Sequence, residues 1–550
     1  MSASLAQLRA ALAASTEALG SGVEPSAGAR LRLERPKRAG QGDYATNAAM
    51  LLASALRSPP RTIAERLGRQ LQERLGAQLA RWEVAGPGFL NLVLSDSWHR
   101  DALRGVLAAG ERHGAGGAER PERILLEFVS ANPTAPLVAA SGRHAAYGDA
   151  LARILTHHGH TVWREYYFND AGNQIRLLGE SVILRARGEP VPEGQGYYEG
   201  EYVAELAERI PASRAPDADP DAVAREAVRM LLEEIVATLE RYGVRYDRFF
   251  LERSLHEGSP SAVERAIAQL ERAGHVYRAE GALWLRTTSF GDDKDRVLIR
   301  SNGEPTYLAA DVAYLQDKRE RGFDRQLLPL GADHFKYATE LKAAMAALGG
   351  DPNAVEAPII QFVHLVSDEG TFKMSKRRGN FVTLDELIDA IGVDACRFLL
   401  LQRSHDHTIE LNVELARRQS AENPVYYVQY AHARIASMLA RLPRERLAAA
   451  IAGQAPWADG ELHPSERSLI QKLLALPDEV AEAAERRAPH RIAAYALELA
   501  QEFTAFYRDC RVIGAAPEEL ESFRVALARG AQLTIALSLS LLGVGAPESM

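Results

Sequence analysis

The feature that most constrains this chain is a change of hydrophobic period along its length. Between residues 120 and 405, short apolar runs (ILLEFV, TVWREYYF, QLLPLG and IIQFVHLV) alternate with longer segments of helical period. Apolar strands separated by helices predict a parallel sheet with crossover helices. Ligands of such sheets sit at the carboxyl ends of the strands. From about 406 to 550 the strand signal almost vanishes. Runs such as NPVYYVQYAHARIASMLARL and RIAAYALELAQEFTAFYRDC there predict an all-helical bundle. A chain of 550 residues is too long for one hydrophobic core, so the switch marks separate domains.

Three blocks follow. The first covers residues 1–113 and closes on the glycine- and charge-rich GERHGAGGAERPE. Leu5, Leu8 and Leu12 at helical spacing open it with a helix, and VAGPGFLNLVL reads as a strand. The second block, 120–405, holds the parallel sheet, with an insertion at about 180–245 between its halves. The third, 406–550, is the helical bundle. Its stretch Ala531 to Val544 contains Gln532 and several Ser and Thr residues, which reads as a buried helix and not a membrane span. The two cysteines, Cys396 and Cys510, exclude a disulfide framework and a Cys-based zinc site, and they suit a reducing cytoplasm.

Net charge is −8, yet the first 100 residues contain 13 Lys and Arg against 8 Asp and Glu. Arg30, Arg32, Arg35, Lys37 and Arg38 form the densest basic cluster of that part, a candidate nucleic-acid contact. The strongest chemical signal is Lys373-Met374-Ser375-Lys376, flanked by Gly370 and Gly379. Two lysines around a small hydroxyl residue make a cationic clamp, suited to charge developing on a departing pyrophosphate. Behind it, Thr383 and Glu386 have the spacing of a capping box.

The stretch KMSKRRGN resembles the second signature of class I aminoacyl-tRNA synthetases. SANPTAPL, EYYFNDAGNQIRLLG, GEPTYLAADVAY, GADHFKYATELKAA, ENPVYYVQYAHARI and LLGVGAPESM resemble the arginyl-tRNA synthetase family in particular. GDYATNAAM and VAGPGFLNLVL look like that family's N-terminal appended domain, so the resemblance runs from about residue 42 to the end. It implies an α/β fold with a class I Rossmann-type parallel-sheet catalytic domain. An α+β N-terminal appended domain and an all-α C-terminal anticodon-binding bundle complete the implied architecture. The implied reaction is ATP-dependent activation of arginine and its transfer to tRNA(Arg), with magnesium, in a monomeric cytoplasmic enzyme.

One signature departs from the family. Its usual His-x-Gly-His tetrad falls here on Val138-Ala139-Ala140-Ser141. The side chains of valine and alanine donate nothing to a phosphate, and loss of one preorganised donor typically costs about a hundred- to a thousand-fold in rate. Ser141 is a candidate helix cap and phosphate donor. With Gly142, His144, Asp333, His334 and Met374 it makes up the ATP-binding set that the resemblance implies. Lys373, Ser375 and Lys376 are the catalytic set. The alternative is a paralogue that binds tRNA or senses arginine without making adenylate efficiently.

A guanidinium is a planar fork that paired carboxylates meet bidentately. Carried over residue by residue, the family's arginine pocket falls on Asn132, Glu252, Tyr307 and Asp311. Tyr307 and Asp311 are four apart and share a helix face. Asn169, Asp170 and Asn173 are expected to brace it. For tRNA the candidates are Arg35, Lys37 and Arg38 in the first domain, and Tyr430 and Arg434 within the run Tyr426, Tyr427, Tyr430, His432, Arg434. Helical spacing requires part of that run to be core.

Overall fold

The computed structural model describes residues 3–20, 31–36, 40–170, 172–192, 195–334, 336–367, 370–371 and 382–550. The N-terminal helix Ala3–Leu19 buries Leu5, Leu8 and Leu12, the stripe its sequence spacing predicts. It packs with the helix Pro60–Leu75 near a four-stranded antiparallel sheet ordered Leu33–Glu34, Tyr44–Thr46, Phe89–Leu94, Leu79–Ala85. The segment VAGPGFLNLVL is not one strand. It belongs to a hairpin that turns at Gly86, with φ +52°, and Gly88, with φ +143°. A Cβ at Gly88 would lie 2.5 Å from that of Pro60, so a side chain there meets both strain and a clash.

The central sheet has five parallel strands, in the order Val355–Glu356, Arg325–Leu327, Arg123–Glu127, Thr161–Phe168, Arg248–Leu251. The first strand in sequence is therefore the middle one. The chain builds outward on one side and then returns to the other. The reversal between Arg123–Glu127 and Arg325–Leu327 is the switch point where such sheets bind ligands. The helix Ala139–His158 makes the first crossover. Before the strand Arg248–Leu251, the helices Asn173–Arg187, Glu201–Arg209 and Pro220–Arg241 build an apolar core of their own around Leu178, Val182, Leu206 and Ala224.

Two runs expected as single strands are broken. QLLPLG gives Arg325–Leu327 and Leu330–Gly331, because Pro329 cannot donate to a ladder. IIQFVHLV gives Ile359–Ile360 and Val363–Ser367. The last of these pairs in parallel with Ile409–Asn412, a strand inside the region read as purely helical. Four residues are too few for alternation to stand out from a helical pattern.

Beyond it lie the helices Pro424–Leu439, Arg444–Ile451, Pro464–Leu474, Leu476–Glu485, His490–Asp509 and Glu518–Leu541. Leu469, Ile470, Leu499, Phe503, Phe506, Ile535 and Leu539 fill their shared core. Ala531–Leu541 belongs to the last of these helices, buried as its composition predicts. The first domain is pinned to this bundle at Asp43. Its buried carboxylate accepts from the Leu94 amide at 2.6 Å and from Gln471 and Arg467 of the helix Pro464–Leu474. Among the described residues, no helix is long and apolar enough to cross a membrane.

Candidate active site

Ile124, Leu125 and Leu126 are fully buried because helices cover both faces of the sheet, and this fixes the middle strand. The strand ends at Glu127, two residues before the end of the ILLEFV run. Val129 and Ser130 then take φ +70° and +41°. A β-branched residue in that region is rare and strained, so its surroundings must impose it. The Tyr246 hydroxyl donates to the Phe128 carbonyl at 3.1 Å, the Ala131 amide donates to the Tyr166 hydroxyl at 3.0 Å, and the Tyr167 amide donates to Ser130 Oγ at 3.1 Å. The turn carries Glu127, Ser130 and Asn132 into one cleft.

That cleft has a volume of about 820 Å³ and lies at the switch point, between Glu127–Asn132 and Leu328–Gly331. One wall is the start of the helix Ala139–His158. Its cap is Val138, which makes no side-chain bond, and the Ala139 amide donates to the Val382 carbonyl at 2.8 Å. Ser141 is therefore not the cap. It is the third helical residue, and it faces the cleft beside the exposed Ala140. Gly142 points the other way: a Cβ there would sit 2.7 Å from Leu384 Cδ1, so this glycine serves close packing and does not line the cleft. Arg143 is buried and donates to the carbonyls of Gln361 at 2.7 Å and Ser404 at 2.9 Å. His144 lines the cleft. Burial and the Arg143 charge hold its imidazole down at about 4, neutral at physiological pH.

Another part of the lining is acidic. Glu252 follows the strand Arg248–Leu251 and is buried, which raises its pKa; the Tyr167 hydroxyl bonded to it opposes that shift. Asp311 lies one turn after Tyr307 in the helix Tyr307–Glu320. Burial pushes its pKa up to about 7, against the effect of a hydrogen bond from Tyr337, and the charges of Glu252 and Glu127 push it further. Tyr307 is 57% exposed at the cleft edge, not the core aromatic that its residue type alone suggests. Asn132 donates to Gln174 Oε1 at 2.8 Å. Asp170 accepts from the Arg253 backbone at 3.1 Å and pairs with its guanidinium at 2.7 Å, bracing the residue next to Glu252. Asp333 and His334, 3.3 Å apart, are exposed at the rim.

Several cleft residues escaped the sequence reading: Glu127, Tyr167, Tyr337 and Lys318. Glu127 is a charge closing a run of buried aliphatics, and Lys318 follows Asp311 by two helical turns, so a weak signal existed for both. Lys373, Met374, Ser375 and Lys376 lie outside the described residues. Among the described residues that flank them in sequence, Gly370–Thr371 pairs with the strand Val363–Ser367, and Thr383 bridges to Val138.

Of the tRNA candidates, Arg35 donates to Gln471 Oε1 of the helical bundle at 2.6 Å, while Lys37 and Arg38 lie outside the described residues. On the helix Pro424–Leu439, the candidates divide as the spacing requires. His432 is buried and bonded to the Pro547 carbonyl, and Tyr427 reaches Thr504. Tyr430 is exposed, stacks on Tyr426 at 6.0 Å, and lies under the Arg434 guanidinium at 4.6 Å.

A parallel sheet with this switch-point cleft, followed by a helical bundle, fits the architecture of a class I aminoacyl-tRNA synthetase. Three family models agree. Residues 196–436 match "tRNA synthetases class I (R), catalytic domain", 6–94 match "Arginyl tRNA synthetase N terminal domain", and 428–550 match "DALR anticodon binding domain". The arginine–tRNA ligase of Frankia alni is 46% identical over 94% of this chain and 94% of its own length, and that of Moorella thermoacetica is 44% identical over 94% and 93%. The solved arginyl-tRNA synthetase of Thermus thermophilus superposes with TM-score 0.75 at 26% identity, covering 99% of both chains. The chain belongs to the arginyl-tRNA synthetase family.

Proposed function

We propose that this chain is an arginine–tRNA ligase that activates arginine with ATP and then transfers it to tRNA(Arg). One observation carries the reading: the acidic residues Glu252 and Asp311 line the same cleft of about 820 Å³ as the first turn of the helix Ala139–His158, at the sheet's switch point. Two carboxylates so placed can take a guanidinium from two sides, with Tyr307 at the edge and Asn132 towards the amino-acid end. A neutral or anionic side chain would leave them unpaired in a buried site, which is the basis of selection.

In the first step, a carboxylate oxygen of arginine attacks the α-phosphorus of ATP, and the bond to pyrophosphate breaks. In the second, the 2'-hydroxyl of the terminal ribose takes the arginyl group and AMP leaves. No covalent enzyme intermediate is needed, so positioning and electrostatics supply the rate. Ser141 and His144 face the space for the nucleotide with neutral donors, and Asp333 and His334 stand at its rim. Lys373 and Lys376, with Ser375 and Met374 between and beside them, are assigned to the departing pyrophosphate. Magnesium bound with ATP would add charge neutralisation on the phosphates. We further assign tRNA contacts to Tyr430, Arg434 and the Arg35–Arg38 cluster, and the reaction to a cytoplasmic monomer.

The decisive measurement is tRNA-dependent ATP–pyrophosphate exchange with arginine. Exchange by the wild type that is lost in Lys376→Ala supports the reading. Protein that never charges tRNA with labelled arginine, or that exchanges only after Val138→His with Ser141→His, rejects it.

A further inference from the structure

The floor of the cleft contains a cation that the arginine-binding set does not use. Lys318 is fully buried, and its Nζ lies 2.6 Å from Glu127 Oε2 and 3.8 Å from the centre of the Tyr314 ring. Tyr314 is itself fixed: its hydroxyl donates to Glu165 Oε1 at 2.6 Å, and Glu165 is gripped by both Nη atoms of Arg321 at 2.7 Å. A buried lysine ammonium held between a carboxylate and an aromatic face is tightly constrained.

We propose that Lys318 is a positioning residue for the guanidinium pocket, a built-in counter-ion that orients Glu127 and offsets its charge beside Asp311. The inference rests on the arginine reading above. Three carboxylates converge on this space: Glu127 from the middle strand, Glu252 from the turn after Arg248–Leu251, and Asp311 from the helix that also carries Lys318. Tyr167 and Tyr337, from two further elements, bond to Glu252 and Asp311. An unbalanced trio would repel one another and take up protons, which would remove the acceptors a guanidinium needs. The Lys318 charge opposes this; it acts on Asp311 in the direction opposite to Glu127 and Glu252. Lysine suits the task because it touches Glu127 as a compact point charge and leaves the other carboxylates open for a planar ligand.

The test compares Lys318→Gln, which keeps a hydrogen-bond donor but loses the charge, with Lys318→Arg, which keeps the charge. L-Arginine binding is followed by ligand-induced thermal shift, and KM for arginine by tRNA charging, between about pH 6 and about pH 9. We expect Lys318→Gln to move the acid limb of arginine binding upward by about half a pH unit or more. KM for arginine at neutral pH should rise about tenfold while KM for ATP stays within about twofold. Lys318→Arg should keep the limb near its wild-type position. A limb in Lys318→Gln that overlays the wild type overturns the proposal, as does equal damage in both variants, which would mean shape and not charge. Should Lys318→Gln fail to fold, the limb of Lys318→Arg alone decides: kept in place it supports the proposal, displaced it refutes it. A wild type with no response to L-arginine at any pH rejects the arginine reading itself, and the inference with it.

Discussion

Arg397 and Asp149 form an ion pair from which water is wholly excluded, with both side chains at 0% exposure and Nη2 to Oδ2 at 2.5 Å. Asp149 belongs to the helix that starts at the candidate active site. Arg397 also donates to the carbonyls of Tyr242 and Leu542, each at 3.0 Å. One guanidinium therefore joins the crossover helix, the end of the insertion and the end of the last bundle helix. Removing Asp149 alone strands the fully buried Arg397 charge, whereas removing both leaves only the partly exposed Arg153, 2.7 Å from Asp149, and Arg164, at 3.9 Å, without that carboxylate. Asp149→Ala should lower stability by about 3–5 kcal/mol in urea unfolding, and Asp149→Leu with Arg397→Met by much less. Equal losses in the two proteins would show that packing, not charge, dominates this junction.

If Asp311 holds the arginine side chain as proposed, arginine binding should depend on pH. The folded pKa of Asp311 is raised to about 7 from 3.8, so the empty site holds a proton that the unfolded chain has already lost. By linkage, Asp311 subtracts stability from the unliganded protein as pH climbs from 3.8 towards about 7. A guanidinium needs the ionised form, so KM for arginine should fall as pH rises through that range, with protons released on binding. Steady-state charging at several pH values reads this directly. Asp311→Asn should raise KM for arginine by about a hundredfold or more and flatten the limb, since an amide cannot ionise. A limb unchanged in Asp311→Asn would assign the titration to another group.

Gly148 couples the crossover helix to the floor of the site. A Cβ there would lie 2.1 Å from Phe128 Cδ2, and Phe128 stacks on Tyr246 at 4.6 Å just before the strained turn at Val129 and Ser130. The ring has no free space to retreat into. Gly148→Ala should cost about 1–3 kcal/mol in thermal unfolding through overpacking. Because the same ring precedes Ser130 and Asn132, kcat/KM should fall more than the loss of folded protein explains. A variant as active as wild type per folded molecule would uncouple the turn from the chemistry.

What was legible in the sequence follows the range of each interaction. The Thr383–Glu386 capping box is present reciprocally, at 2.9 and 3.1 Å, because both bonds lie within one turn and need no partner from elsewhere. The stripe Leu5, Leu8, Leu12 was readable for the same reason. Glycine turns were harder: the apolar run on either side of Gly86–Gly88 concealed a hairpin. The site was only half legible. Glu252, Tyr307, Asp311 and Ser141 do meet in one cleft, on the strength of a resemblance and not of any local pattern. Gly142 packs towards Leu384 and away from the cleft lining, because position in a motif does not say which way a helical residue faces. The bonds of Lys318 to Glu127 and of Tyr314 to Glu165 join residues more than a hundred positions apart, and no window along the chain contains both partners.

Tyr426, Tyr430 and Arg434 form a ladder on one side of their helix; Arg434 Nη2 donates to the Tyr430 hydroxyl at 2.9 Å, and its Cζ lies 5.6 Å from the centre of the Tyr507 ring. Aromatic faces beside a guanidinium suit an unpaired base, and stacking is worth about 1–3 kcal/mol per base. Tyr430→Ala should therefore raise KM for tRNA by about tenfold or more while KM for arginine stays unchanged. Arg434→Ala should weaken tRNA binding and also reduce the slope of log affinity against log salt by about 0.7, the share of one released counterion on a single strand. Tyr427→Phe is the internal control: its hydroxyl reaches only Thr504, so its loss should leave tRNA affinity alone. Filter binding at four salt concentrations separates these outcomes. If all three variants weaken tRNA equally, the helix acts through its packing and the exposed ladder has no special part in docking.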